Sequence, residues 1–262
     1  MAKRFEESGQ GIISIIYGRP GSGKTTLLGS ACDDPRWGRI LDLDVFGNPQ
    51  VLRKRENKPD IVTMEKLEDF NEPYWWLTQD QDPKAPYAKE LDLKPPYGTL
   101  FVDGTTEVQR FIANIITGST HTDPGKVLSS LGRQGFGQLL ATMMNWSKHY
   151  LELSKLGVNI IFTCLESEKK DENQVSHFEP LIWGQSGLEL CGYALLVGRL
   201  TTRLKTDSEI KDEEVLSTDT YNVLQILAST AVFAKDQYGC GTSRIVNPTM
   251  GKLMDLIKQS SL

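Results

Sequence analysis

The fold of this chain is set by one octapeptide, Gly18-Arg19-Pro20-Gly21-Ser22-Gly23-Lys24-Thr25. It matches the pattern GxxxxGK[ST], in which glycines let backbone N–H groups turn inward around phosphate oxygens and the lysine reaches the outer phosphates. An apolar, β-branched run at residues 12–17 precedes it, and Thr26-Leu27-Leu28 can open a helix behind it. That order of strand, loop and helix is the context in which the pattern forms a phosphate-binding loop. The octapeptide therefore predicts an α/β domain that binds a nucleoside triphosphate.

The composition is typical of one globular domain. The chain has 262 residues, of which 39% are hydrophobic and 24% are charged. This is enough apolar material for one sizeable core, so we expect a single domain over residues 1–262. The first nine residues are polar and charged, unlike a signal peptide, and the longest apolar runs are only strand-sized. The sequence therefore predicts a cytosolic protein without membrane contacts.

Cysteine spacing and net charge exclude two further classes of protein. The four cysteines, Cys32, Cys164, Cys191 and Cys240, are widely spaced, which disfavours a zinc site and favours reduced structural thiols. The net charge is -5, and the acidic segment 207–219 accounts for it. A surface coated with basic residues for duplex DNA is therefore excluded, and the acidic segment is itself typical of a solvated loop.

Strand-like and helix-like segments alternate along the chain. Buried strands are predicted at residues 39–44, 60–64, 99–103 and 158–164, helices at 65–80, 107–116, 138–156 and 248–259, and a surface connection at 81–98. Such alternation with right-handed crossovers gives a mostly parallel sheet flanked by helices, with ligands beyond the carboxyl ends of the strands. Alternating residues at 193–204 and 221–227 predict a C-terminal β-hairpin extension. Two polar segments, 118–137 and 166–185, are longer than plain connections, and we interpret them as functional loops.

The octapeptide also predicts how phosphates and a metal ion are held. We expect Lys24 to reach the β- and γ-phosphates of ATP and Thr25 to offer Mg²⁺ a hydroxyl oxygen. Mg²⁺ also needs a carboxylate, and Asp103 supplies one at the end of an apolar strand. Arg19 is predicted to approach the phosphates or a neighbouring subunit, or else to be a solvated loop residue. The full set predicted to contact nucleotide is Gly18, Arg19, Pro20, Gly21, Ser22, Gly23, Lys24, Thr25 and Thr26.

Hydrolysis needs a group that orients or deprotonates water, and acidic residues near strand ends are the candidates. Asp44 is predicted to be this catalytic base, with a helix-capping or turn role as the alternative. Asp42 lies on the same face of that strand but further from the ligand edge. Glu166, just beyond the predicted strand at residues 158–164, is expected to sense the γ-phosphate. Glu107 is interpreted as a first-turn acid that interacts favourably with the dipole of its helix.

The order of these segments resembles the RecA-like P-loop ATPases encoded by tailed phages, a group linked to single-strand annealing and recombination. The resemblance covers most of the chain. It rests on the octapeptide, residues 40–44 where relatives tend to carry Asp-x-Glu, residues 101–103, the helix around Trp146, residues 161–166 and 180–184, and Ala234-Lys235-Asp236. Asp44 stands in place of glutamate and Leu165 where many relatives have histidine, and these two departures predict slow hydrolysis.

This resemblance implies an ATPase with Mg²⁺ as cofactor that acts on single-stranded DNA in phage recombination, annealing or replication, within the host cytoplasm. It also implies a homo-oligomeric ring or filament. In such an assembly Lys235 of one subunit would complete the site of the next, with Arg199 and Arg203 as weaker candidates. A surface salt bridge between Lys235 and Asp236 is the alternative for that lysine.

Single-stranded DNA is expected at the loops 118–137 and 166–185, because both mix cations with aromatic residues. Flexible solvated loops are the alternative there, and a single-strand-binding or replication protein is a further expected partner. Two other function classes stay open. One is a nucleotide or small-molecule kinase, although Arg133 stands alone where a kinase lid needs several arginines. The other is a nucleotide-gated binding module with little turnover.

Overall fold

The structure, a computed structural model, describes residues 10–45, 50–66, 69, 74, 77, 97–118, 124–204 and 220–260. Within these ranges the strands are β1 Ile13–Gly18, β2 Arg39–Asp44, β3 Asp60–Thr63, β4 Tyr97–Asp103, β5 Asn159–Lys170, β6 Ser176–Pro180, β7 Leu196–Leu204, β8 Thr220–Gln225, β9 Lys235–Asp236 and β10 Arg244–Val246. The helices are α1 Lys24–Gly29, α2 Gln50–Arg53, α3 Thr105–Thr117, α4 Pro124–Ser154, α5 Gln185–Tyr193 and α6 Met250–Ser260, with 3₁₀ turns at Ser30–Asp33 and Pro35–Trp37. None of the helices in these ranges is long and apolar enough to cross a membrane.

The strands form one sheet in the order β10-β8-β7-β1-β5-β4-β2-β3, with β6 paired to β5 and β9 to β7. The six strands from β7 to β3 in this order run parallel to one another. At one edge β8 is antiparallel to β7, and β10 is antiparallel to β8. The prediction of a mostly parallel sheet flanked by helices is confirmed. β5 lies between β1, which ends in the phosphate loop, and β4, which ends at Asp103.

Both faces of the sheet are covered, as continuous apolar strands require. On one face, α3, α4 and α5 pack over a core that includes Tyr17 and Phe162. On the other face, α1, α6 and the 3₁₀ turns pack over a core that includes Ile16 and Phe101. Trp146 of α4 lies in the first core, edge-on to Tyr150 with ring centroids 5.3 Å apart. Trp146 therefore has a packing role in the core.

The interpretation of residues 118–137 as a loop is wrong for its larger part. Residues 124–137 belong to α4, which is interrupted at Gly132 by a left-handed φ of 57°. The high content of glycine and serine concealed a helical repeat: Val127, Leu131 and Leu139 are buried on one side and follow the three-to-four residue spacing of an apolar helix face. Residues 119–123 lie outside the described ranges.

The interpretation of residues 166–185 as a loop is also wrong. β5 continues to Lys170 and β6 returns antiparallel beside it, from Glu166 opposite Pro180 to Lys170 opposite Ser176. We call residues 166–180 the β5–β6 arm. At its tip the Asp171 carboxylate accepts N–H groups from Asn173 and Val175, at 2.8 and 2.9 Å. Residues 166–170 of β5 are polar on both faces because they extend past the end of β1, so the apolar pattern that marks a core strand is missing there.

The two strands expected to form a C-terminal extension do pair with each other, from Arg199 opposite Gln225 to Leu204 opposite Thr220. They are not an extension, however, because β7 also pairs with β1 inside the main sheet. The acidic segment 207–219 lies outside the described residues. So do most of the predicted helix 65–80 and most of the connection 81–98.

Candidate nucleotide-binding site

The phosphate loop leaves the sheet at Gly18, the last residue of β1, and enters α1 at Lys24. A Cβ at Gly18 would lie 2.3 Å from the carbonyl oxygen of Leu200, so only glycine fits between β1 and β7. Gly21 and Gly23 have φ angles of 77° and 88°, which favour glycine. The loop therefore has the backbone conformation that the octapeptide predicts.

Side chains of the loop point polar groups toward its interior. The Lys24 ammonium donates to the carbonyl oxygens of Gly18 and Arg19, at 2.9 and 3.0 Å. Burial lowers the pKa of Lys24, while nearby charges that include those of Asp103 and Glu107 act to raise it. The Ser22 hydroxyl is buried without a hydrogen-bond partner. Lys24 can exchange these carbonyl oxygens for phosphate oxygens, which accept stronger, charge-assisted hydrogen bonds, and the Ser22 hydroxyl is available to donate as well. Pro20, Gly21 and Thr26 are exposed beside them.

Asp103 is held between two hydroxyl groups at the end of β4. Thr25 Oγ1 donates to Asp103 Oδ2 at 2.6 Å, and Thr163 Oγ1 of β5 donates to Asp103 Oδ1 at 2.6 Å. The Thr163 hydroxyl in turn accepts the N–H of Gly104 at 2.9 Å. The carboxylate is thus fixed in orientation, with one oxygen turned toward the start of α1.

This donor set fits Mg²⁺. A hydroxyl oxygen and a carboxylate oxygen are hard ligands, and Mg²⁺ is usually bound by one or two carboxylates together with substrate phosphates and water. In the part of the chain that the structure describes, no group of three or more His, Cys, Asp or Glu side chains could hold a metal ion by itself. Thr25 and Asp103 would therefore hold the ion jointly with a nucleotide.

The two aspartates of β2 lie beside Asp103 but differ in depth. Asp44 is opposite Asp103 in the parallel register, and its side chain faces the same side of the sheet. Asp42, two residues earlier, is fully buried and neither of its carboxylate oxygens has a hydrogen-bond partner. Burial raises the pKa of Asp42 well above its usual range, and the charges of Asp103 and Asp44 raise it further. Asp42 is therefore the deeper of the two aspartates, whereas Asp44 lies nearer the ligand edge.

Glu166 is enclosed by two arginines. Arg19 Nε lies 3.2 Å from Glu166 Oε1 and Arg199 Nε lies 2.6 Å from Glu166 Oε2, leaving the glutamate side chain 2% exposed. Arg19 also reaches Glu168 of the arm at 3.1 Å. Glu166 therefore lies at the site but contacts cations of this chain, so a role as γ-phosphate sensor would require a guanidinium to move. That role stays a prediction.

Arg199, one of the weaker candidates for a cation acting from a neighbouring subunit, lies in this chain's own site, and its role in trans stays a prediction. Arg199 lies on β7 and pairs with Tyr17 of β1, the residue directly before the phosphate loop. The guanidinium also stacks over Phe178 of the arm, 3.5 Å from the ring centroid. A cavity of about 530 Å³ lies between loop and β7, lined by Arg19, Arg199 and Thr202 among others. The sequence alone does not show that β7 lies next to β1, so it could not place Arg199 at this site.

Lys235 does not reach the phosphate loop of its own chain. Its ammonium donates to the carbonyl oxygens of Cys191 and Gly192 at the end of α5, at 3.2 and 2.8 Å. The expected alternative, a salt bridge to Asp236, is not formed, since that carboxylate accepts backbone N–H groups of residues 238–240. Lys235 therefore caps a helix, and its role in trans stays a prediction, as does the homo-oligomer.

Sequence reasoning missed Thr163 and did not predict the burial of Glu107. Thr163 is the hydroxyl-bearing residue in the apolar run 160–164, and a polar residue near the end of a buried strand is the signal that could have identified it. Glu107 is the third residue of α3, and its side chain is only 16% exposed. Burial raises the pKa of Glu107, opposed by its own helix N–H, Arg110 and Lys24. Glu107 is thus a first-turn acid of α3, as predicted, and its side chain is also largely buried.

Comparison with known proteins agrees with this geometry. A family model described as an AAA domain matches residues 10–238. The matched range includes the phosphate loop, Asp103, the β5–β6 arm and Lys235. Comparison with curated proteins gave no match.

Proposed function

The chain belongs to the AAA-domain family, and from that premise we propose that it hydrolyses ATP at its phosphate loop with Mg²⁺ as cofactor. Family membership accounts for nucleotide binding; hydrolysis is the further step. The observation that carries the proposal is the contact between the Thr25 hydroxyl and the Asp103 carboxylate, 2.6 Å apart. This pair lies close enough to Lys24 for the carboxylate charge to act on its ammonium.

The side chains around the loop suit phosphoryl transfer, in which negative charge spreads over the transferred group. When bound, Mg²⁺ supplies Lewis-acid stabilisation of charge on the phosphate oxygens. The loop N–H groups and Lys24 hold the phosphates and stabilise the negative charge that develops on them in the transition state. Arg19 and Arg199 bring two guanidinium groups to the same edge of the sheet, and each can exchange Glu166 for a phosphate oxygen.

We extend the proposal to single-stranded DNA, in the phage recombination, annealing or replication role that the sequence resemblance implies. Support comes from α4, where Phe136 is 43% exposed and Arg133 is exposed one helical turn before it. A cation beside an aromatic ring suits contact with a phosphate backbone and stacking on a base. The arm supports this less well, because Phe178 is already covered by Arg199 and Lys169 is paired with Glu179.

The first experiment measures phosphate release from Mg-ATP by the whole protein and by Lys24→Ala. The variant is expected to lose turnover, because it lacks the Lys24 ammonium that is expected to reach the β- and γ-phosphates. Lys155→Ala is the matched control, since Lys155 is an exposed lysine paired with Glu152 on the protein surface. Tight ATP binding by the wild-type protein without turnover would contradict hydrolysis and favour a nucleotide-gated module. Transfer of phosphate to a nucleoside monophosphate would favour a kinase.

The second experiment adds single-stranded DNA to the same assay. We expect the DNA to stimulate turnover and Phe136→Ala to weaken DNA binding by about 1–3 kcal/mol, the usual contribution of one stacked base. Leu156→Ala is the matched control, because Leu156 is an exposed apolar residue just beyond the other end of α4. Equal DNA binding by both variants and the wild type would contradict a role for this helix face.

A further inference from the structure

The first turn of α3 brings a carboxylate back toward the phosphate loop. Gly104, which precedes α3, has a left-handed φ of 105°, and this turns the chain directly after Asp103. The Glu107 side chain folds over it: a Cβ at Gly104 would lie 3.2 Å from Glu107 Oε2. The carboxylate is therefore at the carboxyl end of β4, on the ligand edge of the sheet.

The charged groups that face Glu107 come from three elements. Lys24 of α1 and Asp103 of β4 act on it through their charges, and Arg110 of α3 lies 3.4 Å from Oε1. An acid that served only the helix dipole would gain nothing from burial, because that interaction is available at an exposed position. Glu107 instead remains largely buried, close to the groups that bind phosphate and metal.

Asp44, the base expected from the sequence, is less well placed. It lies on β2, which is separated from β1 by β4 and β5. Glu107, by contrast, follows β4, which is separated from β1 by β5 alone, and its carboxylate folds back over Gly104 directly after Asp103. Since Asp103 is expected at the metal ion beside the γ-phosphate, a largely buried carboxylate that turns back next to Asp103 is the better candidate for contact with an attacking water.

We propose that Glu107 is the catalytic carboxylate that positions the attacking water and accepts its proton. The inference rests on the proposed ATP hydrolysis and names its base. The water oxygen bonds to the γ-phosphorus, and the bond between that phosphorus and the β–γ bridging oxygen breaks. ADP leaves with the bond's electron pair, phosphate is released, and the water proton passes through Glu107 to solvent.

The test compares wild type, Glu107→Gln and Glu107→Asp in three measurements: single-turnover ATP hydrolysis, binding of a fluorescent ATP analogue, and urea unfolding. Glutamine keeps the shape but cannot accept a proton, so we expect hydrolysis to fall by about 100-fold or more with nucleotide affinity within about threefold. Aspartate keeps the charge but withdraws the carboxylate by one methylene, and hydrolysis is expected to fall by about tenfold or more.

Glu152→Gln is the matched control, because Glu152 is an exposed acid paired with Lys155 on α4. Hydrolysis by Glu107→Gln or Glu107→Asp close to the wild-type rate, with ATP bound, overturns the assignment of Glu107 alone. Lower stability with an unchanged rate would show a purely structural acid and also overturns it. Absence of turnover in the wild type overturns the proposed function together with this assignment.

Discussion

Replacing Thr163 with valine tests how the metal-side carboxylate is held. Valine has nearly the same shape, so the change removes one hydroxyl without opening a cavity. That hydroxyl donates to Asp103 Oδ1 at 2.6 Å and accepts the Gly104 N–H at 2.9 Å, and Thr163 is fully buried. Thr163→Val therefore leaves one carboxylate oxygen and one N–H without this partner.

The expected cost follows from those two contacts. A hydrogen bond to a charged group contributes about 1.5–3 kcal/mol and a neutral one about 0.5–1.5 kcal/mol. Thr163→Val should therefore lower the free energy of unfolding by about 2–4.5 kcal/mol. Thr163→Ser keeps the hydroxyl and loses one buried methyl group, which costs about 1 kcal/mol.

Urea unfolding of wild type and both variants, without nucleotide, measures this difference. Binding of Mg-ATP adds a second readout, because a carboxylate freed on one side should lower the affinity of Thr163→Val more than that of Thr163→Ser. The reasoning is refuted if valine proves as stable as serine at this position, since the hydroxyl would then contribute nothing to holding Asp103.

Two further predictions concern buried polar groups elsewhere in the sheet. Asp42→Asn should match the wild type in urea stability near pH 4 and exceed it at pH 8. Burial raises the pKa of Asp42, so the folded state keeps a proton that the unfolded chain releases. The stability of the wild type therefore falls as pH rises from about 4 toward the pKa of the folded state. Identical pH profiles for the two proteins would rule this out. Tyr17→Phe should lower the free energy of unfolding by about 1–2 kcal/mol, because the lost hydroxyl lies 2.6 Å from the carbonyl oxygen of Phe233 and 3.1 Å from that of Phe178. Amide exchange at Phe178 and Phe233 should quicken with it, and unchanged exchange would show that the hydroxyl does not anchor the arm.

The parallel strands were predictable because each is a continuous apolar run that can be buried only with both faces covered. β2 was expected at residues 39–44 and is found there, and β4 and β5 begin within two residues of their expected starts. The observed ends of α3 and α6 also lie within two residues of the predicted helix ends at 107–116 and 248–259. The phosphate loop was predictable for a different reason: its glycines and lysine are fixed by contacts within one short segment.

Features that depend on contacts across strands were not predictable. Thr163 acts on Asp103 from a neighbouring strand, and Arg199 reaches Glu166 because β7 happens to lie beside β1. No local pattern encodes that adjacency. The arm was not predicted because its strands pair outside the core. The start of α4 was not predicted because glycine and serine obscured the spacing of Val127 and Leu131.

Arg19 belongs to the phosphate loop, yet its guanidinium binds Glu166 and Glu168 at the base of the β5–β6 arm. One guanidinium cannot serve these carboxylates and a triphosphate fully at the same time. To the extent that a nucleotide draws Arg19 away, the arm loses an anchor on the loop. Thermodynamic reciprocity then requires that a ligand whose affinity for the arm is changed by nucleotide change the affinity for nucleotide by the same factor. The loop and the arm are thus coupled through a single side chain, whichever of the two is occupied first.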